Sequence, residues 1–598
     1  MCGICGELNF KSTASIEVVK AMLPKLEKRG PDFGDTWHHD RVAFGHRRLA
    51  IIDLSTHSNQ PMVDRELGLT IVFNGAIYNY PELRKQFVKE GYNFQSEGDT
   101  EVILKAYHKW GEDCPKHLHG MFAFTIWDEK RKQLFAVRDR MGIKPFYFSK
   151  TNKHFRFASN IQALLATGEI DKSIDPFALH NQFSLHAVVP APHTIVNGIR
   201  KLEPGTSMTI DLDGKEKTQR YWFLDATRPD SEHALSDEEW TDQIHDALRE
   251  AVRKRIDVAD VPVGVLLSGG LDSSLLVALL AEAGVKDLRT FSIGFEDQPE
   301  EKGSEFEFSD QIVERYKTKH HKYHISNSEV LPHIPDAVNA MSEPMVGQDA
   351  VAFYLLSERV SEQVKVVQSG QGADEVFAGY FWFEQMYNDI HGSDVSRFAR
   401  YYFDRTHDEF LDMVTPEFRG EDFTTQKVAE LLGQPNASEF IDRVLRMDTT
   451  TLIVDDPVKR VDNMTMAWGL EARVPFLDHH LVELAAKMPP EMKLGLKSGL
   501  GGKDVLKRIS RGLIPDAVID RPKGYFPMPA LKYVRGEFLD FMQDTLNSQA
   551  CRNRGVFARP YVDKLLSEPD QHFTALRGSK LWHLALLELW FQTHLDTA

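Results

Sequence analysis

Four places in this chain carry residue types that could do chemistry. Cys2 stands second, in Met1-Cys2-Gly3-Ile4-Cys5-Gly6, where removal of the initiator Met exposes it as the N-terminal residue. A free α-amine, with a reference pKa of about 8, can act as base to its own thiol, so one residue supplies nucleophile and base. Position alone leaves the plain alternative of a small N-terminal residue with no role. The second place is Ser268-Gly269-Gly270-Leu271-Asp272-Ser273, a turn between the apolar run Val263-Gly264-Val265-Leu266-Leu267 and a helical run from Ser274 to Ala283. Strand, turn and helix in that order aim backbone N–H groups and a helix N-terminus at an anion, and phosphate is the natural occupant. The glycines admit close approach and the hydroxyls add donors. No G-x-x-x-x-G-K-[ST] is present, and a carboxylate beside phosphates needs a cation between them, so Asp272 reads as a magnesium ligand. The third place is Ser369-Gly370-Gln371-Gly372-Ala373-Asp374-Glu375, which follows a second strand-like run from Val364 to Gln368. Ligands collect at the carboxyl ends of parallel strands, so the two turns could face one site, with Asp374 as a second magnesium carboxylate. Last come Lys503 and Lys507, cations on an expected helix and available to neutralise phosphate charge. Taken singly they read as solvated surface lysines.

Two frames are needed to hold these groups. The chain has 598 residues, 42% hydrophobic and 27% charged, more than one core can use, so two or more domains are expected. In the first third, strands are expected at Val42 to Gly45, Leu69 to Phe73, Met121 to Trp127 and Leu134 to Val137. Helices are expected at Ile16 to Lys28, Pro81 to Glu90 and Glu101 to Trp110, which makes an α+β unit. From Asp225 to Ala234 the chain turns polar and charged around a Pro, the composition of a linker. Ser236 and Glu239 then stand at capping-box spacing, and Trp240, Ile244, Leu248, Ala251 and Val252 stripe one helical face. The expected division is residues 1–212, a linker at 213–235 and residues 236–598. A formal charge of −17 argues against nucleic acid or an anionic membrane as partner. No run of about 18 apolar residues and no signal-peptide pattern occurs, so a soluble cytoplasmic enzyme fits. The four cysteines are scattered. Cys2 and Cys5 have C-x-x-C spacing, yet no second pair completes a zinc set and no strand precedes them as in a redox motif.

Two sets of motifs resemble known families. Arg29-Gly30-Pro31-Asp32, Gly45-His46-Arg47-Arg48-Leu49, Phe73-Asn74-Gly75-Ala76-Ile77-Tyr78-Asn79 and Gly98-Asp99-Thr100-Glu101 resemble, in order and spacing, the class II glutamine amidotransferases, which are N-terminal-nucleophile hydrolases. The loop from Ser268 to Ser273 resembles the pyrophosphate loop of ATP pyrophosphatases. Arg460-Val461-Asp462-Asn463-Met464, Trp468-Gly469-Leu470-Glu471-Ala472-Arg473 and Val474-Pro475-Phe476-Leu477-Asp478 resemble the synthetase domain of the asparagine synthetase family. The resemblance implies an αββα sandwich followed by an α/β parallel-sheet ATP-pyrophosphatase domain with many helices. It implies Arg48 for the glutamine α-carboxylate, Asp99 for its α-ammonium, Asn74 and the Gly75 N–H as oxyanion donors, and Ala76 beside them. It places ATP against Leu266, Ser268, Gly269, Gly270, Asp272, Ser273, Ile293, Ser369 and Gly370, with Lys503 catalytic and Mg2+ on Asp272 and Asp374. Such enzymes cleave ATP between the α and β phosphates, adenylate a carboxylate, release pyrophosphate and let ammonia displace AMP. The implied partners are glutamine, ATP and a carboxylate acceptor, with ammonia delivered through a closed passage; a homodimer is left open.

The acceptor turns on departures from the family pattern. Gln371 stands where asparagine synthetases usually have an acidic residue, and Ala76 where they usually have Glu. A neutral Gln cannot act as general base at pH 7, which speaks against direct amidation of aspartate. Gln371, Ala76, His186-Ala187-Val188-Val189-Pro190-Ala191-Pro192 and Ser342-Glu343-Pro344-Met345-Val346 are similar to bacterial amidotransferases that make N-acetylglutaminylglutamine amide, an osmoprotectant. The expected acceptor is therefore the C-terminal carboxylate of a small acylated dipeptide. The alternatives are asparagine synthesis from aspartate and a catalytically silent regulatory scaffold; retention of Cys2, Asp272 and Asp374 argues against the scaffold.

Overall fold

The computed structural model describes residues 2–228, 235–521 and 528–596. Residues 229–234 of the expected linker, Ala234 included, lie outside them. Two six-stranded antiparallel sheets form the first unit. One runs, in spatial order, Arg200–Lys201, Tyr147–Lys150, His154–Ala158, Cys2–Asn9, Val42–Arg48, Phe33–His39. The other runs Glu216–Arg220, Thr206–Asp211, Gln133–Arg138, Gly120–Asp128, Leu69–Ile77, Met62–Asp64. The two-residue period of a strand sorts the side chains. Ile4, Leu8, Phe44, Val72, Ala123 and Trp127 interdigitate between the sheets. Ile71, Phe73 and Ile77 face the other way, onto helices Tyr80–Lys89 and Asp99–Trp110. Cys5 and Ala43 face Val19, Met22 and Leu26 on the opposite outer layer. The result is the expected αββα sandwich.

Two expectations need correction in this unit. The helix read over Ile16 to Lys28 is α-helical only over Ile16–Met22 and continues as a 3-10 helix, Leu23–Arg29, because Pro24 lacks the N–H that an α-turn would use. Glu216–Arg220 pairs with Thr206–Asp211, so the second sheet extends past the boundary expected at residue 212. Cys2 and Cys5, an odd number of positions apart on one strand, point to opposite faces.

The second unit opens with helix Asp237–Asp257, whose capping box joins Ser236 and Glu239 and whose buried stripe is Trp240, Ile244, Leu248, Ala251 and Val252. Its five-stranded parallel sheet has the order Lys319–Ile325, Arg289–Phe295, Val263–Leu266, Val366–Gln368, Glu471–Arg473. The direction of winding reverses between Val263–Leu266 and Val366–Gln368, where open parallel sheets hold ligands. The first of these strands leads into helix Leu271–Glu282, which starts earlier than expected and takes Asp272 and Ser273 into its first turn. Val366–Gln368 is shorter than the strand read from Val364, and Glu471–Arg473, a fifth strand, was not anticipated as one. Among the described residues no helix is long and apolar enough to cross a membrane.

Candidate active sites

Cys2 begins a central strand of the first sheet, with Arg48 its direct partner on the neighbouring strand. Its backbone N–H donates to Asn74 Oδ1 at 3.0 Å. Asn74 keeps the inward parity of Val72, which is why a residue on the second sheet reaches a residue on the first. The Asn74 Nδ2 group is buried and has no partner among the described residues, a donor left open beside the thiol. Gly75 is next, with φ +158; a Cβ there would fall 2.1 Å from the Met121 carbonyl oxygen, so only glycine fits. Burial pushes the Cys2 thiol pKa up, against the pull of Arg48.

Arg48 is locked by the loop after its strand: it donates to the Ser55 carbonyl at 2.8 Å, to Asn59 Oδ1 at 2.7 Å and to the Asp53 carbonyl. Asp99 starts helix Asp99–Trp110 and accepts from the Ile77 N–H at 3.0 Å. Burial, with Glu471 adding to it, raises the Asp99 carboxyl to about 6. Cys2, Arg48, Gly75 and Asp99 line one small cavity. Ala76, expected with them, does not; its methyl packs in the apolar cluster shared with Val474 and Phe476 of the second domain. Glu471 does line the cavity, reaching it from the edge strand of the other domain, where burial would raise its carboxyl but Arg473 at 2.5 Å holds it at about 2. Nothing local in the sequence marks Glu471 for this place.

At the second site the turns after Val263–Leu266 and Val366–Gln368 meet. Ser268 and Ser273 join through their hydroxyls at 3.1 Å, and the Gly270 N–H donates to Ser268 Oγ at 3.2 Å. Gly269 has φ +78 and backs onto Ser309, where a Cβ would come within 2.7 Å of a backbone nitrogen; it shapes the turn without lining the cleft. Leu266, Ser268, Gly270, Asp272, Ser273, Ile293, Ser369, Gly370, Asp374 and Lys503 all line one cleft of about 570 Å3. Lys503 is not on the helix as expected: it precedes Asp504–Ser510 in a left-handed conformation, φ +61, with its N–H on the Phe377 carbonyl at 3.0 Å. That turn drops its Nζ between Asp272 at 2.6 Å and Asp374 at 2.8 Å. Burial would lower the ammonium pKa, yet the two carboxylates hold it well above its ordinary value. Gly379 makes room for the trio, since a Cβ there would lie 2.2 Å from both Asp374 Oδ1 and Lys503 Cε. Lys507 stays on the helix and lines the same cleft.

A second chamber of about 250 Å3 shares Asp349, Gln371, Asp374, Tyr380 and Arg577 with the cleft. His186 enters its wall from the first domain on two consecutive left-handed residues, His186 at φ +53 and Ala187 at φ +59. Backbone of that kind costs on the order of 1–3 kcal/mol per residue and persists only where the surroundings enforce it. Burial would lower the His186 imidazole, but Asp404 at 2.8 Å outweighs it and lifts the pKa to about 9. Arg460, on the same wall, is held by Asp349 at 3.1 Å and Asp456 at 2.5 Å. Both cations therefore face the chamber charged at neutral pH.

Known families match in both units of the chain. The family model for asparagine synthase matches residues 243–592, and that for the glutamine amidotransferase domain matches residues 1–222. Asparagine synthetase [glutamine-hydrolyzing] 3 of Bacillus subtilis is 31% identical over 99% of this chain and 99% of its own length. Asparagine synthetase [glutamine-hydrolyzing] 1 of the same organism is 30% identical over 100% of this chain and 97% of its own. Amidase chry2 of Gibberella zeae is 27% identical over 87% of this chain and 86% of its own. Among solved structures, the glutamine phosphoribosylpyrophosphate amidotransferase of B. subtilis aligns at a TM-score of 0.31 and 14% identity, covering 55% of this chain and 92% of that one, too low to bear on the fold.

Proposed function

The chain belongs to the asparagine synthetase family and is a glutamine-hydrolysing, ATP-using ligase, and on that premise we propose how its residues divide the work and which carboxylate it amidates. At the first site Cys2 Sγ attacks the glutamine side-chain carbonyl. Loss of Met1 turns the N–H that now meets Asn74 into an α-amine, which takes the thiol proton and returns it to the departing ammonia. Asn74 Nδ2 and the Gly75 N–H receive the oxyanion, while Arg48 and Asp99 grip the amino-acid end. Water then releases glutamate from the thioester.

At the second site the acceptor carboxylate attacks the α-phosphorus of ATP and pyrophosphate leaves. The Ser268 to Ser273 turn holds the pyrophosphate portion, Ile293 and Leu266 flank the base, and Lys503 stabilises the charge that develops on the phosphates. Two hard carboxylate donors, Asp272 and Asp374, converge beside that turn around the Lys503 ammonium; with that ammonium turned toward the phosphates the pair would suit Mg2+, which would neutralise phosphate charge there. Ammonia from the first site displaces AMP from the acyl-adenylate.

The favoured acceptor is N-acetylglutaminylglutamine, which makes the product an osmoprotectant amide. One observation carries this reading: residues that set the sequence apart, His186, Val346 and Gln371, come from distant segments and line the same 250 Å3 chamber beside the ATP cleft. His186 and Arg460 are donors on a wall that also carries Asp349, Asp374, Glu375, Asp448 and Asp456, so the chamber suits a polar, amide-rich acceptor better than a small dianion, and neutral Gln371 stands where a general base would be needed. Pyrophosphate release by purified protein with glutamine, ATP, Mg2+ and either aspartate or the acylated dipeptide tests it, with mass spectrometry of the amide. Turnover with aspartate alone would replace the dipeptide by aspartate. Formation of ADP in place of AMP would remove the adenylation route.

A further inference from the structure

Outside these sites, histidines gather in three clusters: His180 and His407 with Asp422, His186 and His583 with Asp404, and His119 with His479 and His480. Nitrogens in the first two are already engaged. His180 Nε2 meets His407 Nδ1 at 3.0 Å and its Nδ1 lies 2.7 Å from Thr424 Oγ1, while His186 Nδ1 meets Asp404 at 2.8 Å. The third cluster differs. The hydrogen bonds of its members run through their backbone groups: the His119 N–H donates to Asn79 Oδ1 and its carbonyl accepts from the Tyr78 N–H, and the His480 N–H donates to Asp478 Oδ1. Among the described residues no ring nitrogen of His119, His479 or His480 makes a hydrogen bond to the protein.

The three rings are nonetheless in contact. Centroids lie 4.8 Å apart for His119 and His479, 4.7 Å for His119 and His480, and 3.9 Å for His479 and His480. One nitrogen from each lies within 4.8 Å of the others. A tetrahedral ion with metal–nitrogen bonds of about 2.0–2.1 Å needs ligand nitrogens roughly 3.4 Å apart, so side-chain rotation of an ångström or so closes the set. Histidine's ordinary pKa of about 6.5 leaves imidazole mostly neutral at physiological pH, the state a metal requires. The charged groups that face the cluster are Arg140, Lys254 and Asp478. Arg140 is taken up by the carbonyls of Leu118 and Lys116, and Asp478 by Arg255.

The cluster bridges the two domains. His119 immediately precedes strand Gly120–Asp128 of the glutaminase sandwich, and His479 and His480 open helix His479–Lys487 of the synthetase domain. His479 is buried, His119 half-buried and His480 exposed, so an ion could enter from solvent at His480 and keep a water as its fourth ligand. We propose that His119, His479 and His480 form a binding site for a divalent transition metal of the class that favours imidazole, Zn2+, Ni2+ or Co2+, and that the ion staples the two domains together.

The test uses full-length protein made without a polyhistidine tag and stripped with chelator. Zn2+ is titrated in excess Mg2+, which occupies carboxylate sites, against a chromophoric competitor; Co2+ is followed by its d–d absorption. One equivalent should bind at micromolar or tighter affinity, Co2+ should give a tetrahedral spectrum, and Zn2+ should raise the melting temperature. His480→Ala, at an exposed ring whose loss leaves the fold intact, and His119→Asn should each weaken binding by more than an order of magnitude and abolish the thermal shift. His407→Ala, in a hydrogen-bonded cluster, should change neither. Absence of stoichiometric binding overturns the proposal, as does binding that survives both His480→Ala and His119→Asn.

Discussion

Arg29 and Asp462 join the two domains at Cys2 itself: Arg29 donates through Nε to the Cys2 carbonyl at 3.3 Å and through an Nη to the Asp462 carboxylate at 2.9 Å. Lys144 adds a second cation to the same carboxylate at 3.1 Å, and all three side chains are buried. Asp462 lies on helix Lys459–Met466, which also carries Arg460 to the wall of the chamber proposed for the acceptor. A displacement of that helix on acceptor binding is thus one guanidinium away from the strand that begins with Cys2.

Asp462→Asn should therefore uncouple the sites. Burial alone would raise the Asp462 carboxyl, but Arg29 and Lys144 hold it below the usual range. Its stabilising contribution is present above its unfolded pKa of about 3.9 and is lost as pH falls through the lower folded value. Removing the charge leaves two buried cations without their partner, a loss of about 3–5 kcal/mol at neutral pH. Glutamate formed per pyrophosphate should rise above unity in the variant. A ratio that stays at one, with melting temperature lowered, makes the contact purely structural.

Asn74→Ala should lower kcat for glutamine hydrolysis by about 10²–10³, the usual result of deleting one oxyanion donor, while KM for glutamine stays close to wild type. The reason is the buried, unpartnered Nδ2 beside Cys2. Because Asn74 Oδ1 also holds the Cys2 N–H, Asn74→Asp keeps that acceptor and lacks the donor, and it should be as slow as Asn74→Ala. Steady-state rates with glutamine alone measure this; full activity in Asn74→Asp would assign Asn74 to positioning only.

Asp99 should set a pH limit on glutamine binding, if it pairs with the substrate ammonium as proposed. Its carboxyl, raised to about 6, must be ionised to pair with the substrate ammonium. Calorimetry on Cys2→Ala separates binding from any titration of the α-amine. Kd for glutamine should be flat above that pKa and rise about tenfold per pH unit below it. Asp99→Asn should remove the pH dependence and weaken binding by about 1.5–3 kcal/mol at pH 7.5, roughly 10-fold to 150-fold. An unchanged pH profile in that variant transfers the titration to another group.

Local patterns made much of this legible from the sequence, and long-range placement hid the remainder. The strand, turn and helix around Ser268 to Ser273 announce a phosphate site because a few adjacent residues do the whole job, and the stripe from Trp240 to Val252 marks a helix for the same reason. Glu471 belongs to a stretch that resembles a family motif, yet its position in the Cys2 cavity depends on docking one domain's edge strand against the other domain. Lys503 was expected on a helix because its neighbours favour one; the left-handed turn that aims it at Asp272 and Asp374 depends on packing against Phe377 and Gly379. His119 and His479 belong to different domains, and no spacing rule links them.

Gly379 gives the sharpest test of the synthetase centre, because it has no side chain of its own to act with and its replacement adds a single methyl group at the edge of the cleft. Gly379→Ala places that methyl 2.2 Å from Asp374 Oδ1 and from Lys503 Cε, closer than any carbon can approach. Lys503 has the flexible side chain of the pair and must yield, so its ammonium is displaced from the place beside Asp272 and Asp374 from which it would meet the phosphates. Overpacking of this kind costs about 1–3 kcal/mol of stability, which the folded protein tolerates. Acceptor-dependent pyrophosphate release should fall by about 10²–10³, the scale of losing one preorganised charge contact. Lys503→Ala should give a loss of similar size, and the double variant should lose little more, since both changes remove the same contact. Glutaminase activity without ATP should persist in all three, because the Cys2 cavity shares none of these residues. Equal loss of both activities in Gly379→Ala would mean that the substitution disturbs the fold as a whole, and additive losses in the double variant would separate Gly379 from Lys503.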